Sequence, residues 1–273
     1  MRGSGPDRYL VLGDPVEHSL SPVMHNGAMA ALGLAATYER RRVDDAGMVR
    51  ASEEMRRGDL SGANITMPHK RLAAELADRV SPEAGRARSV NTWVMVEGTI
   101  EGHSTDVVGV RRVVHEQCLP GDGPVVVLGT GGAAAATAIA LADRPLTIMA
   151  RRQAAGMDLV AECGVMAEVR DWTEHPPAGL VVNCTPIGMA GDAMPERMIE
   201  YATGYLEMVY AHGETSAEKA VRARGLPVAG GVHLLASQAE ASFEMWFGVA
   251  PPSGLMYGLA YKYLKERQKR VES

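Results

Sequence analysis

The chain has few aromatic residues and cysteines, and it lacks any run of basic residues. Two phenylalanines, three tryptophans and eight tyrosines stand against 30 glycines and 16 methionines, which predicts an aliphatic core and many tight turns. Three widely spaced cysteines without a CxxC pair argue against a disulfide framework and against zinc ligation by cysteine, and they indicate a cytoplasmic protein. A net charge of −5, with no basic residues interleaved with aromatics, disfavours a nucleic-acid partner.

No apolar segment predicts membrane insertion. Residues 1–8 (MRGSGPDR) lack the apolar core of a signal peptide and predict a frayed start. The uncharged stretch Val125–Ala142 is long, but three glycines interrupt it, so a strand, a turn and a helix fit better than a membrane span. We therefore expect no membrane partner.

Strands and helices alternate along the chain, which predicts an α/β fold. After a strand at Tyr9–Gly13, Ser21 caps a helix and Pro22 takes its first position. Further segments follow in the order strand Thr37–Val43, helix Asp45–Arg57, strand Gly62–Thr66, hairpin Ser89–Val96 with Ile100–Ser104, helix Val107–Cys118, strands Val125–Leu128, Thr147–Ala150, Val165–Val169, Leu180–Asn183 and Glu207–Tyr210, and helices His233–Phe247 and Gly254–Arg270. Asp106 is expected to close a strand at a domain change.

A dinucleotide-binding turn is predicted directly after the most apolar strand. Val125–Leu128 runs into Gly129-Thr130-Gly131-Gly132-Ala133-Ala134, a G-x-G-x-x-A pattern that opens an alanine-rich helix. Gly129 allows the tight turn, Gly131 lets backbone amides approach a pyrophosphate, and Ala134 permits close packing of helix on strand. The alternative is an ordinary tight β-α connection.

The next strand indicates NADP rather than NAD. An NAD site would place an Asp or Glu at its end to bind the ribose 2′-hydroxyl, but this strand ends in Ala150-Arg151-Arg152. Two guanidinium groups suit a 2′-phosphate through charge-assisted hydrogen bonds.

Polar residues in the first half of the chain form a candidate substrate site. Ser19 and Ser21 at a helix start suit a carboxylate, although capping alone would also explain Ser21. Lys70, in the first turn after Pro68, can donate or accept a proton, and Asp106 is a second candidate.

These segments together resemble the shikimate dehydrogenase family over nearly the whole chain. The most specific are the stretch from Gly13 to Asn26 with Ser19-Leu20-Ser21-Pro22, and Asn64–Lys70. Others follow in the family's order: Val90-Asn91-Thr92, Thr105-Asp106, the Gly129 turn, Asn183–Met189, Val209-Tyr210 and Gln238–Trp246.

The resemblance implies NADP-dependent, reversible hydride transfer between shikimate and 3-dehydroshikimate. It implies a substrate domain of residues 1–106, completed by 239–273 through a returning C-terminal helix, and a Rossmann-type NADP domain of residues 107–238. Lys70 and Asp106 would be catalytic, with the formal acid-base unresolved because a coupled pair titrates as a unit. The implied substrate-binding residues are Ser19, Ser21, Thr66, Asn91, Tyr210 and Gln238. The implied cofactor-binding residues are Gly129, Thr130, Gly131, Gly132, Ala133, Ala150, Arg151, Arg152, Thr185, Pro186, Gly188, Met189 and Gly231.

Departures from the family pattern leave alternatives open. His103-Ser104 before Thr105-Asp106 and Val107 after it change the surroundings of Asp106, and Ala150 replaces an asparagine. A paralogue acting on quinate or an amino-substituted shikimate, possibly with NAD, is the first alternative, although Ser21 favours shikimate. The others are a non-catalytic NADP-binding regulator and a metal enzyme using His18, His25, His69, His103 and His115, whose spacing matches no ligand motif. We expect no metal, and a monomer or a homodimer.

Overall fold

The computed structural model describes residues 7–210 and 213–272. The frayed start predicted for residues 1–8 lies mostly outside this part of the chain. The chain divides into two compact units. One contains the residues up to Thr105 and those from Gln238 onward, and the other runs from Asp106 to Ser237.

The first unit contains a mixed six-stranded sheet with helices. Its elements are β1 (Asp7–Gly13), α1 (Ser21–Ala31), β2 (Ala36–Arg42), α2 (Asp45–Arg57), β3 (Gly62–Ile65), α3 (Lys70–Leu76), β4 (Arg79–Val80), α4 (Pro82–Ala87), β5 (Thr92–Val96) and β6 (Thr99–His103). The strand order is β2-β1-β3-β5-β6-β4. β2, β1 and β3 are parallel, whereas β5 is antiparallel to β3 and forms the predicted hairpin with β6.

The second unit is built on a sheet in which every strand is parallel to its neighbours. Its elements are α5 (Thr105–Glu116), β7 (Val125–Leu128), α6 (Gly132–Ala140), β8 (Leu146–Ala150), α7 (Gln153–Cys163), β9 (Ala167–Asp171), β10 (Gly179–Asn183), a 3₁₀ turn (Glu196–Met198), β11 (Ala202–Glu207), α8 (Ser216–Ala223), β12 (Val228–Ala229) and α9 (Gly231–Phe247), which continues into the first unit from Gln238. The order β9-β8-β7-β10-β11-β12 is the doubly wound dinucleotide-binding arrangement. The predicted fold class is confirmed.

The C-terminal helices complete the core of the first unit. The Trp246 indole of α9 donates a hydrogen bond to the Trp93 carbonyl at 2.9 Å, and it lies so close to Gly62 that a side chain there would overlap it. The last helix, α10 (Leu255–Glu272), packs on α1, where Leu259 occupies the space that a Cβ of Gly27 would need. The expected return of the C-terminal helix is thus observed.

Several predicted boundaries differ from the structure, among them β9 (predicted at Val165–Val169), β5 (predicted at Ser89–Val96) and three that lie near predicted site residues. Leu20, not Ser21, is the N-cap of α1, and Ser21 is already helical. Asp106 lies in the first turn of α5 rather than at the end of a strand. The strand predicted at Glu207–Tyr210 is β11 and ends at Glu207, because its pairing with β10 overrides the low strand propensity of Ala202 and Gly204.

A buried carboxyl group links the ends of β10 and β11. Glu207 is fully buried and accepts hydrogen bonds from the Asn183 amide at 2.8 Å and the Tyr205 hydroxyl at 3.0 Å. It also accepts from the Val209 N–H and the Thr215 hydroxyl. Burial raises the pKa of Glu207 to about 7, although the hydrogen bonds that it accepts partly oppose this shift.

This raised pKa predicts a stability that falls with increasing pH. The native protein keeps a proton on Glu207 that the unfolded chain releases above about pH 4.5, so the contribution of Glu207 to the free energy of unfolding should fall by at most about 3 kcal/mol between pH 4.5 and 7 and then level off, whereas buried His25, with its lowered pKa, contributes in the opposite direction. Glu207→Gln should remove this dependence in thermal unfolding measured from pH 5 to 8. Glu116→Gln, at an exposed site, is the control, and an unchanged slope in Glu207→Gln would contradict the prediction.

Candidate active site

Two serine hydroxyls lie together at the start of α1. Ser19 Oγ donates to Ser21 Oγ at 3.2 Å and accepts from the Ser21 N–H at 3.3 Å. Leu20 at the N-cap offers no side-chain acceptor, so neither serine is used as an N-cap. The pair therefore presents hydroxyl donors beside a helix N-terminus, a combination that suits an anion.

A chain of hydrogen bonds runs from Tyr38 on β2 to Thr105 at the start of α5. The Tyr38 hydroxyl donates to Asn64 Oδ1 at 2.7 Å, and Asn64 Nδ2 donates to Thr92 Oγ1 at 3.0 Å. Thr92 donates in turn to Asn91 Oδ1 at 3.1 Å, and the same oxygen accepts from the Thr105 N–H at 2.8 Å. Each member restricts the side chain of the next, which fixes a polar surface in place.

Tyr38 connects this chain to the serine pair. Burial raises the pKa of Tyr38, and a hydrogen bond with Ser21 and the charge of Arg40 partly offset that shift. Tyr38 is fully buried and stacks on His25 with a ring separation of 4.3 Å. The sequence prediction missed Tyr38. The available indication in the sequence was a single aromatic residue in the otherwise polar segment Thr37–Arg42.

Thr66 directly follows β3, and Lys70 begins α3. The Thr66 N–H donates to the Leu12 carbonyl at 2.8 Å, and Thr66 fills the space that a Cβ of Gly13 would need. Lys70 is half-buried at the first position of α3, and its carbonyl accepts from the Val90 N–H at 3.0 Å. The backbone thus ties Lys70 to the residue preceding Asn91.

His69 anchors the start of α3. Its ring is buried, with Nε2 2.8 Å from the Val43 carbonyl oxygen and Nδ1 3.1 Å from an Asp45 carboxylate oxygen. This side chain therefore sets the position at which Lys70 follows, and it serves a structural role rather than that of a metal ligand.

The remaining predicted substrate and proton-transfer residues are Asp106 on α5, Gln238 on α9 and Tyr210 after β11. Asp106 is buried in the first turn of α5. Gln238 is half-buried on α9, and Tyr210, three residues beyond β11, is 40% exposed.

The glycine turn of the second unit lies at the switch point of its sheet. β7 and β10 are the neighbouring strands at which the order reverses, and such crevices at strand carboxyl ends are where ligands bind in this architecture. Gly129 has a φ of +109°, and a Cβ there would lie 3.2 Å from Thr185 Cγ2. Gly129 thus allows both the turn and the approach of the β10 segment.

The next two glycines leave open space above the start of α6. Gly131 is its N-cap, without a side-chain acceptor, and a Cβ on Gly131 or Gly132 would meet no atom within 4 Å. Ala134 is completely buried, as the packing of helix on strand requires. The described residues therefore fit a bound pyrophosphate: amides at an open helix N-terminus without a protein acceptor competing for them.

Arg151 and Arg152 follow the carboxyl end of β8, beside the glycine turn. The Gly129 N–H donates to the Met149 carbonyl at 3.0 Å, which joins the ends of β7 and β8. Both arginines are exposed, and within the described chain neither has a carboxylate within 4 Å. Two cations at this position fit a phosphate on the adenosine ribose.

The segment after β10 is held by Asn183, and Glu207 holds Asn183 in turn. Asn183 Oδ1 accepts from the Thr185 N–H at 3.0 Å and from its hydroxyl at 2.6 Å. The turn continues with Pro186, whose carbonyl accepts from the Met189 N–H, and Gly188, whose φ is +100°. Gly231, at the start of α9, lies so close to the Val209 carbonyl that a side chain would overlap it.

No histidine-based metal centre emerges from residues 7–210 and 213–272, where three or more His, Cys, Asp or Glu side chains nowhere gather in a way that could hold an ion. Within the same residues, no helix is both long enough and apolar enough to cross a bilayer.

Comparison with known proteins identifies the family. A family model described as the shikimate dehydrogenase substrate binding domain matches residues 11–93. The chain is 31% identical to a shikimate dehydrogenase (NADP(+)) of Thermococcus kodakarensis, with 94% of this chain and 97% of that protein covered. It is 36% identical to the enzyme of that name from Symbiobacterium thermophilum, over 92% of this chain and 93% of the relative.

Solved structures agree with the sequence comparison. The shikimate 5-dehydrogenase of Thermus thermophilus, solved in complex with NADP(H) and shikimate, superimposes with a TM-score of 0.85 at 34% identity. The match covers 94% of this chain and 99% of that one. The chain therefore belongs to the shikimate dehydrogenase family.

Proposed function

We propose that this protein is an NADP-dependent shikimate dehydrogenase that reversibly reduces 3-dehydroshikimate to shikimate. The observation that carries the proposal is the connected polar surface from Ser19 and Ser21 through Tyr38 to Asn91, which offers a carboxylate site and several hydroxyl-binding groups in one unit. A small ring carrying one carboxylate and several hydroxyls matches these donors and acceptors.

Each predicted substrate residue has a role in this proposal. Ser19 and Ser21 bind the carboxylate, while Thr66, Asn91 and Gln238 bind ring hydroxyls, with Tyr210 close to the substrate. The hydrogen bonds that hold Asn91 and its neighbours reduce their freedom before the substrate arrives, which lowers the cost of binding.

The cofactor residues follow from the second unit. The open amides at Gly131 and Gly132, with Gly129, Thr130 and Ala133, hold the pyrophosphate, and Arg151 and Arg152, after Ala150, hold the 2′-phosphate. Thr185, Pro186, Gly188, Met189 and Gly231 border the nicotinamide. NADP supplies or accepts the hydride.

Lys70 and Asp106 carry the proton of the reaction. When the carbonyl carbon of 3-dehydroshikimate gains a hydride, its oxygen becomes an alkoxide and takes a proton. An ammonium group beside a carboxylate stabilises that developing charge, the pair supplies the proton as a unit, and solvent then restores the proton to the pair. In the reverse direction the same pair removes the proton from the shikimate hydroxyl.

The domain limits of 1–106 with 239–273 and of 107–238, the cytoplasmic location and the monomeric or homodimeric state stay predictions. The cytoplasmic location agrees with three cysteines that form no disulfide. Quinate, an amino-substituted shikimate, NAD and a non-catalytic regulator remain alternatives to be tested directly.

Oxidation of shikimate and of quinate, each with NADP and with NAD, tests the proposed reaction. We expect shikimate with NADP to give the highest kcat/KM, measured by absorbance of the reduced nicotinamide. A higher kcat/KM with quinate or with NAD would favour the alternative of a paralogue with that substrate or cofactor. Binding of NADP without turnover of either substrate would favour the non-catalytic regulator.

Lys70→Ala should lower kcat by a factor of about 10²–10⁴, because it removes a proton donor that acts in the transition state. The dissociation constant of NADP, measured by fluorescence titration, should stay unchanged. Lys262→Ala, at an exposed position of α10, is the matched control. Normal turnover by Lys70→Ala would refute the assignment.

Arg151→Ala should raise the KM for NADP by roughly ten-fold or more while changing that for NAD little, because only NADP carries the 2′-phosphate. Arg170→Ala on β9 removes the same charge from a cation already paired with Glu168 and serves as the control. An equal rise in the KM for NADP and for NAD would mean that Arg151 does not bind the 2′-phosphate.

A further inference from the structure

Three consecutive arginines at the end of β2 differ in how their charges are neutralised. Arg41 forms an ion pair with Glu54 at 2.8 Å. Arg42 pairs with Asp14 at 2.8 Å and lies 4.0 Å from Glu17. Arg40 directly precedes these two arginines. Among the described residues, no carboxylate lies within 4 Å of its guanidinium group, although the protein as a whole has a net charge of −5.

The Arg40 side chain is nevertheless held in one place. Its Nε donates to the Ser19 carbonyl oxygen at 3.0 Å, and Nη2 donates to the same oxygen. This leaves the guanidinium with further N–H groups that no acceptor of the described chain occupies. An arginine fixed by a backbone carbonyl keeps its full positive charge, because that contact neutralises nothing.

The direction of β2 places Arg40 on the same side as Tyr38. Side chains two residues apart in a strand share a face, and Tyr38 reaches the serine pair through Ser21. The charge of Arg40 acts on the Tyr38 hydroxyl, lowering its pKa against the effect of burial. An uncompensated cation thus lies beside two serine hydroxyls that present donors to an anion.

We propose that Arg40 is a specificity-determining residue that supplies the positive charge for the substrate carboxylate, in addition to the neutral donors Ser19 and Ser21. This inference rests on the proposed function. Hydroxyl groups bind a carboxylate and a neutral ester with similar geometry, whereas a guanidinium discriminates between them by charge. Arg40 therefore selects anionic ring substrates and draws them to the serine pair.

A comparison of shikimate with its neutral methyl ester isolates the charge. Because Arg40 is exposed, its contribution is screened, and we expect Arg40→Gln to raise the KM for shikimate about five-fold with kcat unchanged. The KM for the ester should stay the same in both proteins. Added salt should raise the KM of the unmodified protein for shikimate and have less effect on Arg40→Gln.

Two further variants sharpen the test. Arg40→Lys keeps the charge and should retain most of the preference for the acid over the ester. Arg8→Gln, on the neighbouring strand, removes an equal charge from an arginine that lies 3.9 Å from Glu39, and it should change neither KM.

The outcomes separate the inference from the function on which it rests. If the unmodified protein oxidises shikimate but Arg40→Gln leaves its KM unchanged, the inference is wrong and the proposed function stands. If Arg40→Gln raises the KM for acid and ester alike, Arg40 only shapes the backbone at Ser19, and the inference is again wrong. If the unmodified protein oxidises neither compound, the proposed function fails, and the inference fails with it.

Discussion

The first unit depends on the need of one buried amide side chain to satisfy its hydrogen bonds. Asn91 is nearly fully buried, and its backbone joins two strands of the sheet, because its N–H donates to the His103 carbonyl and its carbonyl accepts from the Ile65 N–H. Its side chain must then find partners inside the protein, since an unpaired buried amide would cost about 1–3 kcal/mol. It finds them in Thr92 and Thr105. The position of Thr105 in the first unit is therefore fixed by the same residue that is proposed to bind a ring hydroxyl.

The second unit solves a comparable problem with a buried carboxyl group. In doubly wound sheets the segments that follow the central strands bind ligands. Other residues must therefore hold these segments in position. Glu207 gives this support by binding Asn183, and Asn183 orders Thr185 in turn. Burial raises the pKa of this carboxyl to about 7, so its contribution to stability depends on pH, and such perturbed groups are common close to binding sites.

Local sequence predicted most of this architecture, and its errors have physical causes. The strand Val125–Leu128, the turn at Gly129 and the helix Asp45–Arg57 lie where the sequence places them, because a fully buried apolar run, a glycine with positive φ and the capping residue Asp44 are each determined locally. Tyr38 and the strand ending at Glu207 were missed because their roles come from partners distant in sequence: Asn64 for Tyr38, and β10 for the strand. A pattern within one segment cannot reveal such pairing. In the same way, whether the charge of Arg40 is neutralised depends on where acidic side chains from other elements lie.

Side-chain capping differs between three helices that carry no predicted site residue and four that begin at predicted site residues. Asp44, Ser81 and Thr215 cap α2, α4 and α8 with side-chain oxygens, and none of these helices carries a predicted site residue. Where α1, α3, α6 and α7 begin, the described structure shows no side-chain cap, and these are the starts at which Ser21, Lys70, Gly132 and Arg152 lie.

A cap adds about 1 kcal/mol to stability, so its absence at these four helices is a cost to the folded protein. At α6, where no side-chain acceptor is present, the first amides can bind a phosphate instead, and a ligand that binds there restores part of that stability. Within the described part of the chain, helix starts without a side-chain cap occur together with arginines that have no carboxylate within 4 Å, Arg40 in one unit and Arg151 in the other, and this combination suits a protein that binds two anionic molecules.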